Sequence, residues 1–122
     1  MKYPSFLALY NASGLKSKLI KLAFEWTKEA ADQKYAIAQS KLGMLYQQGI
    51  GVVKNEKEAV SWWSKAALGG DSHAQFYLGG CYFDGNGTLK DPKKAKEWIK
   101  KSWDSGHPQA KEYWDKNELW KY

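Results

Sequence analysis

The chain has 122 residues, 43% apolar and 26% charged, with three prolines. That composition fits one globular domain with a real core and excludes a disordered or collagen-like chain. Nineteen lysines, no arginine and 13 acidic residues give a net charge of +6. Lysine cannot reproduce the bidentate guanidinium fork, so specific nucleic-acid binding is not expected, and the charge fits an acidic protein partner better. Cys81 is the only cysteine, which excludes a disulfide or a cysteine-based zinc site within the chain. No stretch approaches the ~18 apolar residues of a membrane span.

The run Met1-Lys2-Tyr3-Pro4-Ser5-Phe6-Leu7-Ala8-Leu9-Tyr10 is a poor signal peptide. It is short, it holds Pro4, and no small-x-small cleavage site follows. A cytoplasmic location is expected; the alternative is a periplasmic or secreted one after loss of a leader outside this chain. Phe6 and Tyr10 instead fit a shortened helix, and Lys16–Asp32, with Ala23, Phe24, Trp26 and Ala30, reads as a second helix.

Next comes a helix over about Tyr35–Gln48, with Ala38, Leu42, Leu45 and Tyr46 on one face. The loop Gly49-Ile50-Gly51 ends it, and the glycines supply positive φ. Asn55, with Glu58 three residues on, reads as a capping box for a helix carrying Ala59, Trp62, Trp63, Ala66 and Ala67. Gly69-Gly70 closes it and Asp71 opens a helix over about Ser72–Phe83. A second loop, Gly85-Asn86-Gly87, leads to Asp91-Pro92, a cap with proline at the first helical position. The helix beyond carries Ala95, Trp98, Ile99 and Trp103 and stops at Ser105-Gly106. His107-Pro108 starts a last, more polar segment to Tyr122.

These elements repeat every 36 residues. Ala23, Ala59 and Ala95 align, as do Trp26, Trp62 and Trp98; Ala38, Ala74 and Ala110; and Tyr10, Tyr46 and Tyr82. Gln39 matches Gln75, Leu42 matches Leu78, and Gly43 matches Gly79. A period in this range marks a helical solenoid. The fold class is therefore all-α: an α/α superhelix of about three helix-turn-helix units. Its divisions are a partial repeat over 1–34, repeats over 35–70 and 71–106, and a capping helix over 107–122.

The columns Ala38, Leu42-Gly43, Tyr46, Gly49-x-Gly51, Ala59, Trp62-Trp63, Ala66-Ala67 and Gly70 resemble the Sel-1-like repeat, a relative of the tetratricopeptide repeat. A second copy runs from Ala74 to Gly106 with Ile99 at the Trp63 position. The resemblance implies a right-handed superhelix whose first helices line a concave face, and an adaptor or scaffold that binds another protein. Bacterial members also serve as immunity proteins against toxins, which is the alternative reading. Some secreted members carry a cysteine pair in each repeat, and this chain has none. By analogy with that register, the groove residues are Ile37, Ser40, Met44, Gln47 and Gln48; His73, Phe76, Gly80, Phe83 and Asp84; and Glu112, Lys116, Leu119 and Trp120. Phe76 and Phe83 are candidate hot-spot aromatics, and Trp120 is placed to fold back over the last repeat.

Catalytic, metal-binding and cofactor chemistry are not expected. His73 and His107, the only histidines, form no metal-ligand or triad spacing. Cys81 takes the column of Leu45 and reads as a small core residue. The Gly-x-Gly loops recur with the repeat, which makes them turns and not phosphate cradles. Lys90, Lys93, Lys94, Lys96, Lys100 and Lys101 read as a solvated outer face.

Overall fold

Asn55, Asp71 and Asp91 each fold a carboxyl or amide oxygen back onto the start of the next helix. They accept the N–H of Glu58 (3.1 Å), Ala74 (2.9 Å) and Lys94 (3.1 Å). The computed structural model describes residues 5–12 and 14–122. The first four residues of the N-terminal run weighed as a signal peptide lie outside them. The helices run α1 (Phe6–Ala12), α2 (Leu15–Asp32), α3 (Ala36–Gln48), α4 (Glu56–Leu68), α5 (Ser72–Asp84), α6 (Pro92–Asp104) and α7 (Ala110–Lys116), followed by a 3₁₀ turn, Leu119–Lys121. Among the described residues there is no strand. Each helix packs on the next in sequence, the order of an α/α solenoid.

Close approach within each pair depends on the glycine column. A Cβ on Gly43 would overlap the Trp63 indole, and one on Gly79 would lie 2.7 Å from Ile99 Cδ1. The indole therefore enters α3 deeply enough for Trp63 Nε1 to donate to the Ser40 carbonyl at 3.0 Å. Ile99 has no such donor. In that repeat Ser102, which replaces Ala66, donates its hydroxyl to the Ser72 carbonyl at 2.8 Å. Between repeats, Gln39 and Gln75 donate to the carbonyls of Ala31 and Ala67, both at 3.3 Å. The second loop glycine also works between repeats: Gly87, with φ 73°, sits against the Glu56 backbone of the preceding unit.

The core consists of three clusters along the stack. Ala31, Leu42 and Trp62 form the first. Ala59, Val60, Trp63, Ala66, Ala67, Ala74 and Leu78 form the second. Ile99, Ala110 and Leu119 form the third. Each large side chain fully buried here contributes about 1.5–3 kcal/mol.

The tryptophan column is not uniform. Trp62 is 8% exposed and Trp98 half-buried, but Trp26 is 64% exposed. Trp62 packs on Leu42 of its own repeat and Ala31 of the preceding one. In the first repeat α1 has seven residues against 13 in α3 and α5, and Phe6, at the Leu42 position, is itself 72% exposed.

Candidate functional site

Helices α3 and α5 lie side by side with a trough between them. One stretch, about 220 Å³, is lined by Ile37, Ser40, Lys41 and Met44 from α3 and by Asp71, His73 and Tyr77. The next, about 140 Å³, is lined by Gln47, Trp63, Phe76, Tyr77, Gly80, Cys81, Asp84 and Asn86. Both fall short of the ~300–1,000 Å³ that encloses a small-molecule ligand. The floor is apolar and fixed: Trp63 is buried and stacks on Tyr77 with centroids 5.1 Å apart. The rim is polar, with Lys41, Gln47, His73, Asp84 and Asn86 exposed. Helices α3 and α5 carry one lysine and one aspartate between them. The lysine excess lies elsewhere, notably in the five lysines of α6.

The groove residues read from the sequence separate into three groups. Met44 is half-buried and lines the trough, and Gln47 and His73 stand exposed on its rim. Gln48 is exposed beside it, and Glu112 and Lys116 are exposed on α7 but line neither stretch. Ile37, Ser40, Phe76, Gly80 and Asp84 also line it, some of them largely covered, while Phe83, Leu119 and Trp120 line neither stretch. Ser40 is only 4% exposed, because the Trp63 indole comes up against its backbone.

Phe76 and Phe83 are not free anchors, since both pack on the C-terminal cap. Phe76 stacks on His107 (4.4 Å, 9°) and meets Tyr113 edge-on at 5.4 Å. Phe83 meets Tyr113 and Tyr122 edge-on at 6.1 and 6.2 Å. Gly80 faces the Tyr113 hydroxyl, 3.7 Å from where a Cβ would stand. Leu119 is fully buried, while Trp120 stays 52% exposed. Leu119 and Tyr122, and not Trp120, fold back over the last repeat; Lys96 Nζ donates to the Tyr122 carbonyl at 2.9 Å.

Burial shifts four ionisable groups in this part of the stack. Burial, reinforced by Glu56 and Asp84, pushes the Cys81 thiol up to about 12, so it stays protonated at neutral pH. Burial, with Asp84 and Cys81 adding to it, likewise pushes Tyr113 to about 12. Tyr46 is raised, first by burial and then by Glu58 and Asp32. His107 is lowered, first by burial and then by His73, with Asp71 opposing. The Nδ1 of His107 accepts the Gln109 N–H at 3.2 Å, and His73 meets its ring edge-on at 4.8 Å. His107 thus stands in the repeat position of the Asp71 cap. Among the described residues no cluster of three or more His, Cys, Asp or Glu side chains is placed to hold a metal. No helix there is long and apolar enough to cross a membrane.

Sequence reasoning passed over a second groove, between α2 and α3, lined by Trp26, Thr27, Ala30, Tyr35, Ile37, Ala38 and Lys41. One signal for it was present. Lys65 and Lys101 follow Trp62 and Trp98 by three residues, whereas Glu29 follows Trp26.

The Sel1 repeat profile matches residues 6–35, 36–71 and 72–107. Among solved structures, a Sel1 repeat protein from Oxalobacter formigenes is 37% identical with a TM-score of 0.72, over 74% of this chain and 37% of that one. A protective antigen of uropathogenic Escherichia coli strains with an SLR fold is 34% identical with a TM-score of 0.72, over 74% of this chain and 19% of that one. Cysteine-rich protein B of Helicobacter pylori shares the fold at 22% identity with a TM-score of 0.69, over 84% of this chain and 92% of that one. The chain thus spans well under half the length of the first two. Among curated proteins no significant match is found. With three profile matches in tandem, stacked as helix pairs, the chain belongs to the Sel1 repeat family.

Proposed function

We propose that the chain is an adaptor module that seats a segment of a partner protein in the trough between α3 and α5. Sel1 repeat proteins are in general protein-interaction modules. The observation that carries the reading for this chain is the trough itself: open, shallow, with a rigid aromatic floor and a rim of exposed polar groups. Met44 and Tyr77 give a partner apolar contact. Gln47, Gln48 and His73 offer hydrogen bonds, and Lys41 and Asp84 set the direction of a charged segment. The lysines of α6 lie outside the trough and act at longer range, steering an acidic partner towards the module. Such steering weakens as salt rises.

The test is capture of partners from an extract of the native host by wild type and by a Gln47→Arg, Asp84→Lys double variant. Both substitutions fall on exposed rim positions, so the helical spectrum and melting curve should be unchanged. Loss of the captured partner supports the trough. Equal capture by the variant overturns it.

A further inference from the structure

The geometry points to a second docking site, beside the trough and sharing Ile37 and Lys41 with it: Trp26, with Glu29 and Tyr35, receives a lysine or arginine side chain from a basic segment of a partner protein. The chain supplies its own comparison. In the second repeat Lys65 Nζ lies 4.1 Å from the Trp62 ring centroid, and in the third Lys101 Nζ lies 4.5 Å from that of Trp98. Each lysine follows its tryptophan by three residues, so the helix itself sets the ammonium over the indole face. In the first repeat that position is Glu29. An acidic residue thus takes the repeat position that holds the stacked cation in the other two.

Trp26 is 64% exposed, and among the described residues no lysine stacks on it. The groove beside it, about 500 Å³, is walled by Tyr35, Ile37 and Ala38. Tyr35 is 62% exposed and Ile37 67% exposed. The groove therefore offers two rings and an aliphatic wall for the stem of a long basic side chain, and Glu29, three residues on from Trp26 in the same helix, supplies the carboxylate for its charged head. Lys41 lines the far wall, so a partner with an acidic residue near its lysine matches both charges.

The experiment uses the full chain labelled at the indole nitrogens. It is titrated with a synthetic peptide of alternating lysine, glycine and serine, and with the glutamate version of that peptide. The Trp26 resonance, identified by its loss in Trp26→Leu, should shift with the lysine peptide and not with the glutamate one. Glu29→Lys rebuilds the Lys65 arrangement inside the chain and should weaken the lysine peptide about tenfold. The Gln47→Arg, Asp84→Lys trough variant should bind that peptide as wild type does, which separates failure here from failure of the trough. Undiminished binding by a folded Glu29→Lys variant overturns the proposal. So does self-association that is lost in Trp26→Leu yet indifferent to Glu29→Lys and to salt, because it identifies a second copy as the occupant.

Discussion

At the C-terminal end of the stack, α7 and the 3₁₀ turn bring Leu119, fully buried, onto Ile99 and Ala110, with Phe76, Phe83, Trp103, Tyr113 and Trp114 around them. At the N-terminal end Phe6 is 72%, Leu7 64% and Trp26 64% exposed. The same helix pair is therefore a closed wall at one end and an open aromatic face at the other. A repeat of this kind does not bury its own apolar surface; a neighbour or a cap must do so. The interior repeat, flanked on both sides, should thus be the stiffest part. Trp63→Ala removes a buried indole that also donates to the Ser40 carbonyl, and should cost about 3–5 kcal/mol. Urea unfolding followed by far-UV circular dichroism measures it. A cost near that of a surface change would mean the stack does not unfold around this indole.

The next largest effect separates the ends directly. Leu119→Ala opens the third cluster and should cost about 2–4 kcal/mol. Phe6→Ala, at a position 72% exposed, should stay within about 0.5 kcal/mol. Amide exchange sharpens the contrast, because protection in α7 should fall with Leu119→Ala while protection in α2 should not respond to Phe6→Ala.

What the sequence made legible follows the period. Gly43 and Gly79 share one repeat column, and the structure puts Trp63 and Ile99 against them. Asn55, Asp71 and Asp91 predicted helix starts and form those caps. The illegible parts are those where identical letters meet different neighbours. Trp26 repeats Trp62, but burial belongs to the flanking helices and not to the residue. Phe76 and Phe83 looked like free groove aromatics because their cover comes from the C-terminal segment after Gly106. That stretch turns back through Glu118, at φ 50°, where neither glycine nor a repeat column announces the bend. Register alone placed Ser40 on the groove surface; only the depth of the Trp63 insertion shows it covered.

The caps give a smaller, graded test along the stack. Asn55→Ala, Asp71→Ala and Asp91→Ala each remove one side-chain acceptor at a helix start, and each should cost about 1 kcal/mol. Helix α2 begins at Gly14 with no side-chain cap, so Gly14→Ala tests backbone conformation alone, at φ 71°. Thermal melts of the four variants check the comparison. Equal losses at the three caps indicate that each helix contributes alike, while a larger loss at Asp91 shows that the C-terminal wall carries the others.

The smallest effect is confined to one end by composition, since His73 and His107 are the only histidines and both belong to the C-terminal half. His107 is 6% exposed and neutral, with Nδ1 accepting the Gln109 N–H. Protonation puts a hydrogen on that nitrogen, removes the acceptor, and charges a ring stacked on Phe76. Its folded pKa lies below the ordinary 6.5, so its contribution to stability is fully present above about 6.5 and is lost as pH falls through the folded value. The urea midpoint should therefore drop between pH 7.5 and 5.5, a window in which ordinary carboxylates stay ionised. His107→Asn keeps a side-chain oxygen for the Gln109 N–H and cannot titrate, so it should flatten that drop. His73→Gln should preserve most of it, because His73 is exposed and burial, not His73, is the larger cause of the lowered His107 value. Amide exchange should show α7 loosening with acid before α2 does; uniform loosening along the stack would take the pH response away from the cap.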